Sequence, residues 1–120
     1  MSTISELEKA VQLYFDVLYE CDLDKFDALF HPACHLFTVQ DGKETVLPLD
    51  RYREIIAARQ PPASAGQPRE ERLEGILTLS AEAALVAVGV RVHDKRFRDH
   101  LGFMRGADGW RIVSKMYVSA

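Results

Sequence analysis

The second half of this chain constrains its fold most. Arg69 to Ser80 alternates in polarity, and Ala84 to His93, Arg96 to Arg105 and Trp110 to Val118 follow as further long segments of strand character. A side-chain period of two marks an extended strand with unlike faces. In the first segment Leu73, Gly75, Leu77 and Leu79 share one face, with Arg72, Glu74, Ile76 and Thr78 on the other. The links between segments, Ala81-Glu82, Asp94-Lys95 and Gly106-Ala-Asp-Gly109, are short enough to demand antiparallel neighbours.

The first half reads at the helical period instead. Thr3 followed by Glu6 has capping-box spacing, and Ile4, Leu7, Val11, Tyr14 and Leu18 recur at helical intervals through about Cys21. Asp22 can cap a shorter helix whose inward residues are Leu23, Phe26, Leu29 and Phe30, and Pro32 stops it. Cys34 to Gln40 reads as a strand, Asp41-Gly42 as a two-residue hairpin turn and Glu44 to Leu47 as the return. Asp50 opens a third helix carrying Tyr52, Ile55 and Ile56 on one side, which fades into an exposed loop from Gln60 to Pro68. Helices early and strands late predict an α+β fold: three helices packed in a curved, mixed or antiparallel sheet, with the residual space forming a mainly apolar pocket.

Composition bounds the partners. A chain of 120 residues, 48% hydrophobic, can bury one core, so we expect a single domain over residues 1–120. With 15 Lys+Arg against 18 Asp+Glu, the net charge of -3 supplies no basic field for nucleic acid. The first residues, Met1 to Lys9, form neither a signal peptide nor a membrane span, which places the protein in the cytoplasm with no membrane partner. Cys21 and Cys34 read as small buried thiols of a reducing compartment, with a disulfide as the minority reading. No His or Cys spacing matches a zinc site, and neither a metal nor another cofactor is expected.

Two stretches then resemble a known family. Val11-Gln-Leu-Tyr14 through Asp22-Leu-Asp-Lys-Phe-Asp-Ala-Leu-Phe-His-Pro32, and Phe97-Arg-Asp-His-Leu-Gly-Phe-Met-Arg-Gly-Ala-Asp-Gly-Trp-Arg-Ile-Val-Ser-Lys115, look like the lumazine-binding-like family of the nuclear-transport-factor-2-like superfamily. The resemblance implies a cone of helices in a curved sheet, and also a homodimer joined through the outer sheet face. That superfamily holds ketosteroid isomerases, polyketide cyclases and scytalone dehydratases beside members with no known catalytic activity. In ketosteroid isomerase a Tyr and a protonated Asp donate hydrogen bonds to a developing enolate while a second Asp moves the proton. By similarity the Tyr falls on Tyr14, the oxyanion Asp on Asp99 and the base on Thr38. A Thr hydroxyl cannot accept a proton at neutral pH as a carboxylate does, so isomerase activity is not predicted.

Alternation sets Asp99 on the face of Phe97, Leu101 and Phe103, among apolar neighbours where desolvation would favour a neutral carboxyl. Either Asp99 and Tyr14 donate together to a ligand oxygen, or Asp99 is structural and Tyr14 is a core ring. Of the histidines, His31 sits in the corner before Pro32, while His93 and His100 fall opposite the Asp99 face. His35 is kept as a candidate base because its ring titrates near neutral pH, although it shares its strand face with Phe37. Phe15, Leu36, Thr38, Phe97, Leu101, Trp110, Ser114 and Met116 are the expected pocket wall. The outer sheet face is expected to carry His100, Met104, Arg111, Val113, Lys115 and Tyr117, partly apolar and suited to self-association. The favoured reading is a binding domain for a small apolar or carbonyl-containing ligand. The other is an isomerase, cyclase or dehydratase-like enzyme with Tyr14, Asp99 and His35 as catalytic groups.

Overall fold

A computed structural model describes residues 2–119. Helix α1 spans Thr3–Glu20, capped by the Ser2 hydroxyl accepting from the Ser5 N–H, so the cap lies one residue before the predicted Thr3. It buries Leu7, Val11, Tyr14, Phe15 and Leu18 and stops where Cys21 turns left-handed at φ 52°. Asp22 caps α2, Leu23–Leu29, by accepting from the Asp24 and Lys25 N–H groups, as the sequence implies. Pro32 is not what ends this helix: strand β1, Phe30–Gln40, has begun before it. Proline lacks a donor, and the pairing of β1 with its neighbour is irregular between Phe30 and His35, where Pro32 does no harm.

Asp41 and Gly42 both adopt positive φ, 52° and 79°, and fold β1 back onto β2, Lys43–Pro48. Helix α3, Leu49–Ala58, begins at Pro48 without a side-chain cap, so Asp50 lies in its first turn and does not cap it. Tyr52 and Ile56 are its buried residues. The following loop is not merely exposed. Ala63 donates to the Tyr19 carbonyl, and buried Gln67 both accepts from the Tyr19 hydroxyl and donates to the Arg91 carbonyl. Strands β3, Glu71–Ser80, β4, Ala83–Val92, β5, Lys95–Gly106, and β6, Gly109–Ser119, complete the chain. The β4–β5 turn uses His93 at φ 56°, with its Nε2 2.7 Å from the Gln60 carbonyl, so the turn falls one residue earlier than expected.

All strands join one sheet in the order β2-β1-β6-β5-β4-β3. Consecutive neighbours are antiparallel, but β1 lies parallel to β6, so the sheet is mixed. The helices fill its concave face. Their apolar residues meet Val86, Val88, Leu101, Phe103 and Ile112 from the strands, and Phe26, Phe30 and Tyr52 pack ring against ring between α2, α3 and β1.

Bulges interrupt the alternation. On β3, Leu73 pairs with Val88 and Gly75 with Ala87, which leaves Glu74 as an extra residue. Leu73 and Ile76 therefore share the inner side, while Gly75 and Leu77 turn outward, contrary to the uninterrupted pattern. On β6, Phe103 pairs with Ile112 and Gly102 with Ser114, which leaves Val113 extra. Trp110 and Ile112 face inward before the bulge, and Lys115 and Tyr117 face inward after it. Lys115 and Tyr117 are thus not on the outer face, and Ser114 and Met116 do not face the helices. A single inserted residue reverses every later side chain of the strand.

A buried lysine at the candidate functional site

The candidate site is built where α1, α3, β5 and β6 converge. Tyr14 lies on the core face of α1 and Asp99 on the inward side of β5, and both side chains are wholly buried. The Tyr14 hydroxyl donates to Asp99 Oδ2 at 2.5 Å. Burial, followed by the negative charge of Asp99, holds the Tyr14 hydroxyl well above its ordinary pKa and keeps it a donor.

Lys115 is the group that strand alternation misses. It pairs with Leu101 on β5 and Leu36 on β1, which carries its side chain into the core with 6% exposure. Its Nζ is 3.9 Å from Asp99 Oδ2 and donates to the Tyr52 hydroxyl at 3.0 Å. It also sits 4.8 to 5.5 Å from the ring centroids of Tyr52, Tyr14 and Tyr117, a cage that favours a cation. Burial alone would lower the pKa of this ammonium, but its interactions with Tyr52 and Asp99 outweigh that and raise it. Lys115 is therefore charged at neutral pH and is not an amine nucleophile.

These groups border a cavity of about 50 Å³, walled by Asp99, Lys115, Tyr52, Tyr117, Phe97 and Arg59 and closed by apolar residues including Leu18 and Val90. Of the pocket residues predicted from sequence, Phe97 belongs to this wall. Phe15, Leu36 and Leu101 are core packing, and the Thr38 hydroxyl donates to the Tyr117 carbonyl at 2.5 Å. Trp110 is half-buried and donates to Glu6 at 3.2 Å, near the start of α1 and away from the cavity wall. Ser114 and Met116 lie on the outer side beyond the bulge, the Ser114 hydroxyl occupying space that Gly102 leaves by having no Cβ. His35 is exposed beside Phe37, its Nδ1 3.0 Å from the Ala33 carbonyl, and cannot reach Asp99.

Cys34 is buried, and burial pushes its thiol up to about 11, which makes it a poor nucleophile. Among the described residues, no cluster of three or more His, Cys, Asp or Glu side chains could hold a metal ion. No helix among them is long and apolar enough to cross a membrane.

Solved structures of the same fold exist. A nuclear-transport-factor-2-like protein of unknown function from Silicibacter pomeroyi superposes with a TM-score of 0.85 at 20% identity over 100% of both chains. One of the same description from Shewanella baltica gives 0.84 at 18%, over 98% of this chain and 93% of that one. A ketosteroid isomerase-like protein from Erwinia carotovora atroseptica gives 0.70 at 13%, over 96% and 94%. At such identities the likeness is one of fold. No curated protein sequence matches the chain. The family model described as "Putative lumazine-binding" matches residues 2–118, and the chain belongs to that family.

Proposed function

We propose that this chain is a small-molecule-binding domain whose ligand enters the cavity beside Asp99 and Lys115. One observation carries the reading: Asp99 belongs to the cavity wall and its Oδ1 is buried without a hydrogen-bond partner. An orphaned carboxylate oxygen is costly, and a ligand donor would satisfy it. Among its apolar residues the wall carries an acid, two cations and two phenols.

A carbonyl-transforming enzyme is the weaker reading. Tyr14 donates to Asp99, so the two groups do not converge on a common ligand oxygen. The Thr38 hydroxyl is taken by a backbone carbonyl, and His35 lies on the outer side of the sheet. A nuclear magnetic resonance titration with hydroxyacetone, a small neutral ketone whose hydroxyl can donate to Asp99 Oδ1, tests the choice. Saturable shifts at Phe97 and Lys115 with the ketone recovered unchanged are expected. Conversion of the ketone would favour the enzyme.

We also propose that a second copy covers the outer sheet face in a cytoplasmic homodimer. Phe37, Leu77, Leu85, Met104, Met116 and Val118 are exposed there, around a groove of about 550 Å³ near Leu77, Leu85 and Val113. Sedimentation should find a dimer for the natural chain and a monomer for the Leu77→Glu, Met104→Glu variant. A natural chain that sediments as a monomer would end this proposal.

A further inference from the structure

Arg59 lies just past the end of α3 and lines the cavity. Among the described residues it is the one arginine whose guanidinium has no hydrogen bond or ion pair. The others engage carboxylates or carbonyls, as Arg53 does with Asp27, Arg69 with Asp16, Arg105 with Glu6 and Arg111 with the Phe30 carbonyl. A half-buried guanidinium with its donors unclaimed, in a cavity wall, is an anion site in want of an anion.

The charges agree. Arg59 and Lys115 contribute two positive charges to the wall and Asp99 one negative, leaving one positive charge uncompensated. Lys115 has further N–H donors beyond the one given to Tyr52, since Asp99 at 3.9 Å is an ion pair outside hydrogen-bond reach. Asp99 Oδ1 asks for the opposite, a donor. The ligand must therefore present an anionic acceptor and a neutral donor close together.

Size narrows the class. A cavity of about 50 Å³ exceeds the ~10–15 Å³ that one water needs, but falls well short of the ~300–1,000 Å³ typical of sites for drug-sized molecules. A bicyclic ring system does not fit this space. A molecule of a few heavy atoms does.

We propose that the cavity binds a short-chain 2-hydroxycarboxylate, with its carboxylate between Arg59 and Lys115 and its hydroxyl donating to Asp99 Oδ1. This rests on the binding-domain reading above and specifies its ligand. Recognition is by charge and by the hydroxyl together: the carboxylate neutralises the surplus cation, and the hydroxyl supplies the donor that Asp99 lacks.

Calorimetry with glycolate, acetate and ethylene glycol, at constant ionic strength, tests it on the full chain. Glycolate should bind about tenfold more tightly than acetate, the worth of one hydrogen bond to a charged group, and ethylene glycol should not bind. Arg59→Gln should weaken glycolate binding by at least about tenfold, and Arg59→Lys by less, both with an unchanged melting temperature. Acetate binding as tightly as glycolate would remove the hydroxyl from the proposal. Glycolate affinity untouched by Arg59→Gln would overturn it. Should hydroxyacetone bind while glycolate does not, the anion site is wrong and the binding domain stands. If neither binds, both readings fall.

Discussion

The two ends of β6 present different chemistry to the helices. Before Val113, Trp110 and Ile112 pack inward against apolar neighbours, and the indole closes its polarity by donating to Glu6 at 3.2 Å. After Val113, the inward positions are Lys115 and Tyr117, at the polar cavity. Without the bulge, Ser114 and Met116 would face the helices, Lys115 would face outward, and Asp99 would lose its cation. One extra residue thus separates a dry end of the cone from a charged one.

Asp99 is where the charged end depends most on one side chain. Asp99→Leu leaves the Lys115 ammonium buried without its carboxylate and should cost about 3–5 kcal/mol in urea unfolding. The double variant Asp99→Leu, Lys115→Met should recover most of that loss, since a buried ion pair replaced by apolar groups of similar volume is often neutral. A double variant as unstable as the single one would show that the pair is not the source of the cost.

Alkaline pH acts on the same charged end. The pKa values of Tyr14 and Lys115 are both raised above those of a free phenol and a free ammonium side chain. A raised folded pKa means that the native state holds its proton more tightly than the unfolded chain. The resulting stability is fully present below about pH 10 and is lost as pH climbs through the folded values. Stability should therefore hold to about pH 10 and fall above it, with the Tyr14 phenolate absorbance appearing only alongside unfolding. Comparison with Tyr14→Phe isolates that absorbance. A Tyr14 signal that rises while the chain is still folded would contradict the buried donor.

The smallest effect is expected on the outer face. His35→Gln should change stability by no more than about 0.5 kcal/mol and leave glycolate binding unaltered, because the ring is exposed and directed away from the cavity. Loss of binding in that variant would mean that β1 presents its other face to the site.

Much of this was legible in the residues. The Asp22 cap, the Asp41-Gly42 turn and the core face of α1 depend on contacts within a few positions, and local spacing reveals them. That Tyr14 and Asp99 both face inward was legible too, through family resemblance and the unbroken alternation from Phe97 to Phe103, but not that Asp99 accepts from Tyr14 instead of donating beside it. The two cations of the cavity wall were not. Arg59 closes a helix with no special spacing, and Lys115 follows a bulge that leaves no mark in the polarity pattern.

Residue order and periodicity were enough to fix the order of helices and strands, the inward placement of Tyr14 on α1 and Asp99 on β5, and the sign of the overall charge. Those follow from periodicity and composition. Tertiary structure alone decided which side of β6 meets the helices. Alternation counts residues along one strand, whereas a bulge is a mismatch between two, and Val113 is extra only because Ile112 and Ser114 pair with adjacent residues, Phe103 and Gly102, across the ladder.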